Sequence, residues 1–264
     1  MVFKYFLFII LLTSNVCLAL DLPNNALQGS LIIGHDFNAD EVIVDGKKIK
    51  ISKNGYFVIP VDRDQLDQIN ISLIKKSELY KIHQIKIVER EFQIQEINGL
   101  PQNMVTPDEE VLKRIISENK IIKKSKAVNS DYEYFTNDFI QPVNGIITGV
   151  FGSQRILNGK AKNPHRGLDI AAEKGTPVLS TNDGVVILAE EDLYYTGGTI
   201  VIDHGHGVKS IYAHLNSVEV KVDDKIKRNN VIGTVGSTGR STGPHLHWGV
   251  MVFNTYVDPS LLIN

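Results

Sequence analysis

Cysteine is almost absent from this chain, because Cys17 is the only one among its 264 residues. Cys17 lies in residues 1–19, where the single charged residue Lys4 precedes an apolar run and then small residues up to Ala19. This pattern predicts a cleaved secretory signal peptide. The mature chain would then contain no cysteine, which excludes a thiolate enzyme, a disulfide framework and a cysteine-ligated metal site.

The sequence also lacks a long apolar run and an excess of charge of one sign. The apolar segment from Tyr5 to Leu12 is short for a membrane span, which needs about 20 residues. An uncleaved membrane anchor is therefore the less favoured alternative, and we expect an exported protein. The formal net charge of −2 gives no reason to expect a nucleic acid or an acidic membrane surface as a partner.

Residues 27–98 consist mainly of short runs of β-favouring residues separated by turn signals. Asp45-Gly46 and Asn54-Gly55 lie between such runs and favour tight hairpin turns. This pattern predicts a small all-β domain. Its two histidines, His35 and His83, are isolated, and we expect them to be structural or surface residues. The runs are 30–33, 41–44, 56–59 and 69–74.

A single linking α-helix is predicted within residues 104–128. Thr106 can cap its N-terminus, Pro107 suits the first turn, and Glu109 completes a capping box. Apolar residues then recur at helical spacing, and the helix ends in a basic run. Because positive charge suits a helix C-terminus, a solvated face is a better interpretation of this run than a nucleic-acid patch. A polar linker then leads to a second domain, residues 139–264.

The second domain is rich in glycine and again in β-favouring residues, and it contains most of the histidines of the chain. A β-strand over the motif Gly243-Pro244-His245-Leu246-His247 would place both histidines on one face and Leu246 on the other. Two imidazoles on one face of a strand are close enough to share a metal site. The histidines of this domain are His165, His204, His206, His214, His245 and His247.

His165 and Asp169 form a second candidate pair for metal binding. On a strand these residues share a face, and Gly167 between them would leave space for an ion. A helix would also align them, but Gly167 and Pro164 disfavour one. A catalytic zinc site without thiolates uses three His, Asp or Glu ligands and leaves the fourth position to water. The third ligand would come from the strand with two histidines, giving a site that brings the pKa of bound water to roughly 7.

Three motifs, in this order along the chain, resemble those of the lysostaphin/LytM-type zinc metallopeptidases, which cut peptide bonds in bacterial peptidoglycan. They are His165-x-x-x-Asp169, Tyr212-x-His214-Leu215 and Gly243-Pro244-His245-Leu246-His247. The resemblance covers nearly all of residues 139–262, and the N-terminal half resembles, more weakly, the extra β-domain and helix of some periplasmic members. Further similar segments are 145–152, 175–178, 183–186, 203–207 and 232–239.

The resemblance implies a mainly β protein, with a glycine-rich antiparallel β-sheet metallopeptidase domain after the small all-β domain and the linking helix. It implies that His165, Asp169 and His247 bind one zinc ion per chain, and that His214 and His245 are catalytic without binding the metal. One of these two histidines would take a proton from water, and the other would stabilise the oxyanion or help to protonate the leaving amine. The sequence does not say which does which.

The activity that the resemblance implies is hydrolysis of the peptide cross-links of peptidoglycan, with the peptide stems as substrate and a regulatory protein as a conceivable second partner. One alternative is an inactive domain that binds and activates another cell-wall hydrolase. Such domains have lost metal ligands, whereas this sequence keeps all five site residues. The other alternative is a binding module with a structural zinc, but structural sites are usually closed by four protein ligands.

Several residues near these motifs are weaker candidates. His204 and His206 flank a glycine in a predicted turn and are expected to be structural. Tyr212 lies two residues before His214, on the same face of a regular strand, and could line the site. Arg155 and Asn158 could touch the substrate or occlude the metal, although a surface loop is the favoured interpretation. The segment 193–198, with two tyrosines and two glycines, suits either a groove wall or a plain hairpin tip.

Overall fold

The computed structural model describes residues 22–99 and 106–263, so the predicted signal peptide lies outside the described residues. The described chain is mainly β, as the sequence predicts, with one α-helix. We refer to residues 22–99 as the N-terminal half and to residues 139–263 as the C-terminal half. The N-terminal strands are β1 (Asn25–Leu27), β2 (Leu31–His35), β3 (Glu41–Val44), β4 (Lys47–Ile49), β5 (Tyr56–Pro60), β6 (Ile69–Lys75), β7 (Glu78–Val88) and β8 (Ile94–Ile97).

The N-terminal half contains a five-stranded sheet in the order β1-β7-β6-β3-β4 and a two-stranded ribbon of β2 and β5. Asp45-Gly46 closes the β3–β4 hairpin, and both residues have the positive φ of a type I′ turn, as predicted. Asn54-Gly55 also forms a tight turn, but β4 and β5 on its two sides belong to different sheets. A turn signal thus predicts a local reversal of the chain, whereas strand pairing depends on distant residues.

Helix α1 (Glu109–Lys126) follows, and its N-cap differs from the prediction. Asp108 has extended backbone geometry and its carboxylate accepts a hydrogen bond from the Val111 N–H, so Asp108 caps the helix and Thr106 does not. Three lysines lie in the last turn, where they complement the helix dipole. Within the described ranges, no helix is both long enough and apolar enough to cross a membrane.

A ten-stranded sheet dominates the C-terminal half. Its main path runs β17-β14-β15-β16-β19-β12-β9, and β13, β18 and β20 pair at its side. The large apolar core of this half packs on one face, around Trp248 and Leu246, which are fully buried. The strands are β9 (Ile146–Gly149), β10 (Gln154–Leu157), β11 (Lys160–Ala161), β12 (Leu168–Ala171), β13 (Pro177–Leu179), β14 (Gly184–Leu193), β15 (Gly197–Gly205), β16 (Val208–Val218), β17 (Lys225–Ile226), β18 (Val231–Val235), β19 (His245–Val252) and β20 (Thr255–Val257).

The β2–β5 ribbon lies between the cores of the two halves. Ile32, Phe57 and Ile59 are buried in the N-terminal core. Val58 is buried in the C-terminal core, and Tyr56 packs against that core. Because successive residues of a strand point to opposite faces, one ribbon supplies apolar side chains to both cores.

A second connection between the halves is a small sheet in the order β11-β10-β8. In it, β8 of the N-terminal half pairs in parallel with β10, and β10 forms a hairpin with β11. This sheet lies beside the candidate site, because Arg155 of β10 contacts Asp169 of β12.

Candidate active site

Two neighbouring strands carry three of the five predicted site residues. β12 pairs with β19 in antiparallel register, and this places Asp169 directly opposite His247. His245 lies two residues earlier on β19, opposite Ala171. His245 and His247 therefore share a face, as the sequence predicts, while the alternate residues of β19 enter the core.

His165 reaches the same place by a different route from the predicted one. β12 begins only at Leu168, so His165 lies in the extended segment before the strand. Its backbone exchanges hydrogen bonds with residues 152 and 153, which fixes this segment. Gly167 is also explained differently: a Cβ there would lie 2.3 Å from the carbonyl oxygen of Trp248. Glycine is thus needed at this position for the close approach to β19.

Ligand atoms of His165, Asp169 and His247 converge, and all lie within 4.8 Å of one another. The Nε2 atom of His165 is 2.9 Å from Oδ1 of Asp169 and 3.0 Å from Nδ1 of His247. The Nδ1 atom of His247 is 2.8 Å from the same Oδ1 atom. Among the described residues, this is the only group of at least three His, Cys, Asp or Glu side chains with metal-binding geometry.

The protonation pattern of the cluster calls for a cation at its centre. Nδ1 of His165 donates a hydrogen bond to the carbonyl oxygen of Val150 (3.0 Å), so in the neutral ring Nε2 carries only a lone pair. That lone pair faces the Asp169 carboxylate, which is also an acceptor. Burial lowers the pKa of His165, which disfavours a proton as the bridging charge. The three donors therefore fit a metal ion, because imidazole nitrogens and a carboxylate oxygen are its usual ligands.

Asp169 is buried and ionised. Burial alone would raise its pKa, but the imidazole nitrogens of His165 and His247, which lie 2.9 and 2.8 Å from Oδ1, hold the pKa well below its usual range. The space for its carboxylate comes from Gly149 on β9, where a Cβ would lie 2.5 Å from Oδ2 of Asp169. Sequence reasoning did not assign this role to Gly149, because it depends on the pairing of β9 with β12.

A β-bulge brings His214 to this cluster. On β15 only one residue separates Gly198 from Ile200, whereas their partners on β16, Leu215 and Tyr212, are separated by two residues. The extra residue bends β16, and His214 has a φ of 64°. The His214 ring then lies 4.8 Å, centre to centre, from that of His245. The structure thus brings all five predicted site residues together.

The two flanking histidines have similar hydrogen bonds. Nδ1 of His214 donates to the carbonyl oxygen of Thr238 (2.8 Å), and Nδ1 of His245 donates to that of Gly243 (2.8 Å). In both neutral rings, Nε2 is left as a hydrogen-bond acceptor. Burial, and to a smaller extent the charge of the neighbouring His247 and His245, lowers the pKa of His214 to about 3. This ring is therefore neutral near pH 7.

The bulge also corrects the prediction for Tyr212. Tyr212 is fully buried in the core, and its hydroxyl lies 2.8 Å from the backbone nitrogen of Thr181 and accepts its hydrogen bond. The expectation that Tyr212 shares a face with His214 is wrong, because the extra residue breaks the alternation of side chains between them.

Arg155 is the main residue whose place was not predicted. It lies on β10 and not in a surface loop, and its Nη2 atom donates to Oδ2 of Asp169 at 2.5 Å. Asn158 does lie in a turn, the one that joins β10 to β11. No local pattern in the sequence connects Arg155 with Asp169, because their contact depends on the arrangement of two sheets.

His204 and His206 are both buried away from this cluster. His204 lies at the end of β15, and its ring is hydrogen-bonded to the Asp183 carbonyl oxygen and the Ser210 hydroxyl. His206 has a positive φ of 50° and packs against Phe135. Their surroundings are those of structural residues.

An open pocket of about 360 Å³ adjoins the cluster. His214, His245 and Asp169 line its floor, and Arg155 and Arg240 contribute positive charge to its walls. The β14–β15 hairpin tip supports this wall, because the guanidinium of Arg240 lies 4.5 Å from the ring centre of Tyr195. The pocket thus exposes Asp169, His214 and His245 to a solvent-accessible cavity.

Comparisons with known proteins agree with this geometry. Residues 163–259 match the model of Peptidase family M23. The chain is 34% identical over 222 residues to a protein of Buchnera aphidicola subsp. Baizongia pistaciae described as an uncharacterized metalloprotease, covering 76% of this chain and 55% of that protein. It is 45% identical over 95 residues to the peptidoglycan DD-endopeptidase ShyB of Vibrio cholerae, covering 36% of this chain and 22% of ShyB.

The chain thus spans only 55% and 22% of the length of these two relatives. A crystal structure assigned to peptidase M23 from Pseudomonas aeruginosa has a similar fold, with a TM-score of 0.68 and 25% sequence identity. That similarity covers 90% of this chain and 94% of the Pseudomonas chain. The chain therefore carries, within residues 163–259, a peptidase M23 domain of the lysostaphin/LytM type.

Proposed function

We propose that this protein is a zinc-dependent endopeptidase that hydrolyses peptide cross-links of bacterial peptidoglycan. The observation that carries the proposal is the convergence of His165, Asp169 and His247, with His214 and His245 beside them on the floor of an open pocket. In this proposal residues 139–264 form the catalytic domain, residues 27–98 a small all-β domain, and residues 104–128 the linking helix.

His165, Asp169 and His247 would hold one Zn²⁺ ion. Two neutral imidazoles and one carboxylate would leave a net positive charge at the site and a fourth coordination position for water. Zinc bound there would polarise a substrate carbonyl and lower the pKa of bound water to about 7. The backbone carbonyl of Val150 fixes the ring of His165 in the orientation in which Nε2 faces Asp169 and His247.

His214 and His245 would move protons and stabilise charge at the reacting carbonyl. Both present an acceptor nitrogen when neutral, and His214 stays neutral at physiological pH because of its lowered pKa. A neutral imidazole can take a proton from the attacking water, and the imidazolium can then give it to the leaving amine. The paired ring beside it can donate a hydrogen bond to the developing oxyanion once it is protonated.

The proposed substrate class follows from the relatives. ShyB and other relatives of the same domain are named peptidoglycan DD-endopeptidases. Action on peptidoglycan requires export, which agrees with the signal peptide expected for residues 1–19. The periplasm or cell envelope is therefore the proposed location.

Digestion of purified peptidoglycan sacculi tests this function. The zinc-loaded protein should convert cross-linked dimeric muropeptides to monomers, seen by chromatography and mass spectrometry. Removal of the metal with a chelator should stop the conversion, and addition of zinc should restore it. An absence of cleavage by the zinc-loaded protein, together with faster cleavage by a second hydrolase in its presence, would instead support the activator function.

A further inference from the structure

The N-terminal half reaches the proposed metal site through β8. In the parallel pairing of β8 and β10, Gln95 lies opposite Arg155. Backbone hydrogen bonds at both ends of the pair fix this register. The Gln154 N–H donates to the carbonyl oxygen of Gln93 (2.8 Å), and the Asn158 N–H donates to that of Ile97 (2.9 Å). The segment that carries Gln95 is thus part of the sheet next to Asp169.

Arg155 forms a bridge between Gln95 and Asp169. Its Nε atom donates to the side-chain oxygen of Gln95 at 3.2 Å, and its Nη2 atom donates to Oδ2 of Asp169 at 2.5 Å. The guanidinium group is planar and rigid, so a contact that fixes Nε also orients Nη2. The two charged side chains are 24% and 10% exposed, so water screens this ion pair less than a surface pair.

The two oxygens of Asp169 have different partners. Oδ1 faces His165 and His247, whereas Oδ2 faces Arg155. Rotation of the carboxylate would break the ion pair, and the Gly149 backbone lies against Oδ2 on another side. Arg155 therefore leaves Oδ1 as the oxygen that is presented to the two histidines.

We propose that Gln95 and Arg155 act together as positioning residues, which hold Asp169 as a metal ligand through one oxygen. The N-terminal half would then be part of the metal site, in addition to any role in covering the pocket or binding the cell wall. This inference rests on the proposed function, because it concerns the same metal. Partners that hold a metal ligand typically affect metal affinity by about 10–100-fold when they are removed.

The sign of the effect distinguishes positioning from simple electrostatics. Arg155 is a cation close to a cation site, so charge alone predicts that its replacement by a neutral residue tightens metal binding. Positioning predicts the opposite, because Asp169 would lose its fixed orientation. A cover or a docking surface in the N-terminal half would leave the affinity for the metal unchanged.

The test is the zinc affinity of the full mature chain, measured by competition with a chromophoric chelator. Arg155→Gln should weaken zinc binding by about 10–100-fold, and Gln95→Leu should weaken it by a smaller factor. Arg155→Lys should restore part of the affinity, because the ammonium can still pair with Oδ2 but cannot form both contacts. Gln93→Leu makes the same chemical change at an exposed side chain on the same segment and should bind zinc like the parent.

A double variant provides the second criterion. If Gln95 acts through Arg155, Gln95→Leu should have little further effect in the Arg155→Gln background. Thermal unfolding of the metal-free variants would identify any that fail to fold. Unchanged or tighter zinc binding by folded Arg155→Gln would overturn the inference while leaving the proposed function intact. Failure of the parent protein to bind zinc would instead overturn the proposed function.

Discussion

The two halves of this protein are both built from β-sheets, but they bury different kinds of side chain. In the described residues of the N-terminal half, only Gln28 and Asp36 are buried polar side chains, and the core is otherwise aliphatic and aromatic. The C-terminal half buries many more polar and charged groups, including Asp203, His204 and Lys209. Buried polar groups are costly unless they are hydrogen-bonded, so a network of partners is needed to hold them.

This difference shows that the sheet of the C-terminal half is the one that holds and orients polar side chains. Carbonyl oxygens of Val150, Thr238 and Gly243 each accept a hydrogen bond from one site histidine. In the N-terminal half, His35 and His83 also contact backbone oxygens, but each stands alone. A single histidine that contacts a backbone oxygen therefore does not indicate a functional site. The convergence of several such histidines does indicate one.

The largest expected effect is the loss of the metal from His165→Ala. Removal of one of three ligands should reduce the bound zinc from about one equivalent to almost none and abolish hydrolysis, because two protein ligands do not make a stable site. Elemental analysis of the purified protein measures this directly. His83→Ala, the same change in the N-terminal half, should keep the full equivalent. Equal zinc in the two variants would contradict the assignment of His165.

His214→Ala and His245→Ala should separate metal binding from catalysis. Each variant should retain the zinc but lose about 10²–10⁴-fold in the rate of cross-link hydrolysis, which is the usual contribution of a positioned acid or base. Metal content and initial rates on the same preparation check both parts. A variant that loses its zinc would show that its histidine is a ligand.

Phe57→Ala should affect stability in the half without the site. Phe57 is fully buried in the N-terminal core, and its truncation should lower the free energy of unfolding by about 3–5 kcal/mol. Chemical denaturation measures this loss, while the zinc affinity of the folded fraction should stay the same. A large change in zinc affinity would show that the N-terminal core and the metal site are coupled more widely than through Gln95.

The polar core should make the C-terminal half sensitive to acid. Burial lowers the pKa of His204 from 6.5 to about 4, so between these values the unfolded chain binds a proton that the folded chain does not. The stabilising contribution is full above about pH 6.5 and is lost as the pH falls towards 4, on the order of 3 kcal/mol. Between pH 7.5 and 4, the free energy of unfolding should fall more steeply for the parent than for His204→Asn. Parallel pH profiles would show that His204 is not the origin of the acid sensitivity.

The sequence predicts those parts of the site that depend on local spacing. The alternation of His245, Leu246 and His247 follows from the geometry of one strand, and so does the placement of Leu246 in the core. The Asp45-Gly46 hairpin is equally local. The approach of His165 to Asp169 was also expected, although the strand that was to align them begins three residues later.

The features that were missed or wrong depend on contacts between distant segments. The bulge at His214 needs the pairing partners of β16, and without them Tyr212 was expected on the wrong face. Arg155 contacts Asp169 from β10, and β10 pairs with β8, whose residues lie about 60 positions earlier in the chain. No periodicity within one segment contains this information.

The β2–β5 ribbon has a consequence for the order in which the chain is synthesised. Its Val58 side packs into the C-terminal core, and β5 contacts β19 and β20, which are the last strands to be made. The N-terminal sheet can form early. One apolar face of the ribbon, however, stays uncovered until nearly 200 further residues have been synthesised. During that interval it is an exposed β surface of the kind that favours aggregation. Newly made chains should therefore be the form of this protein that most depends on chaperones.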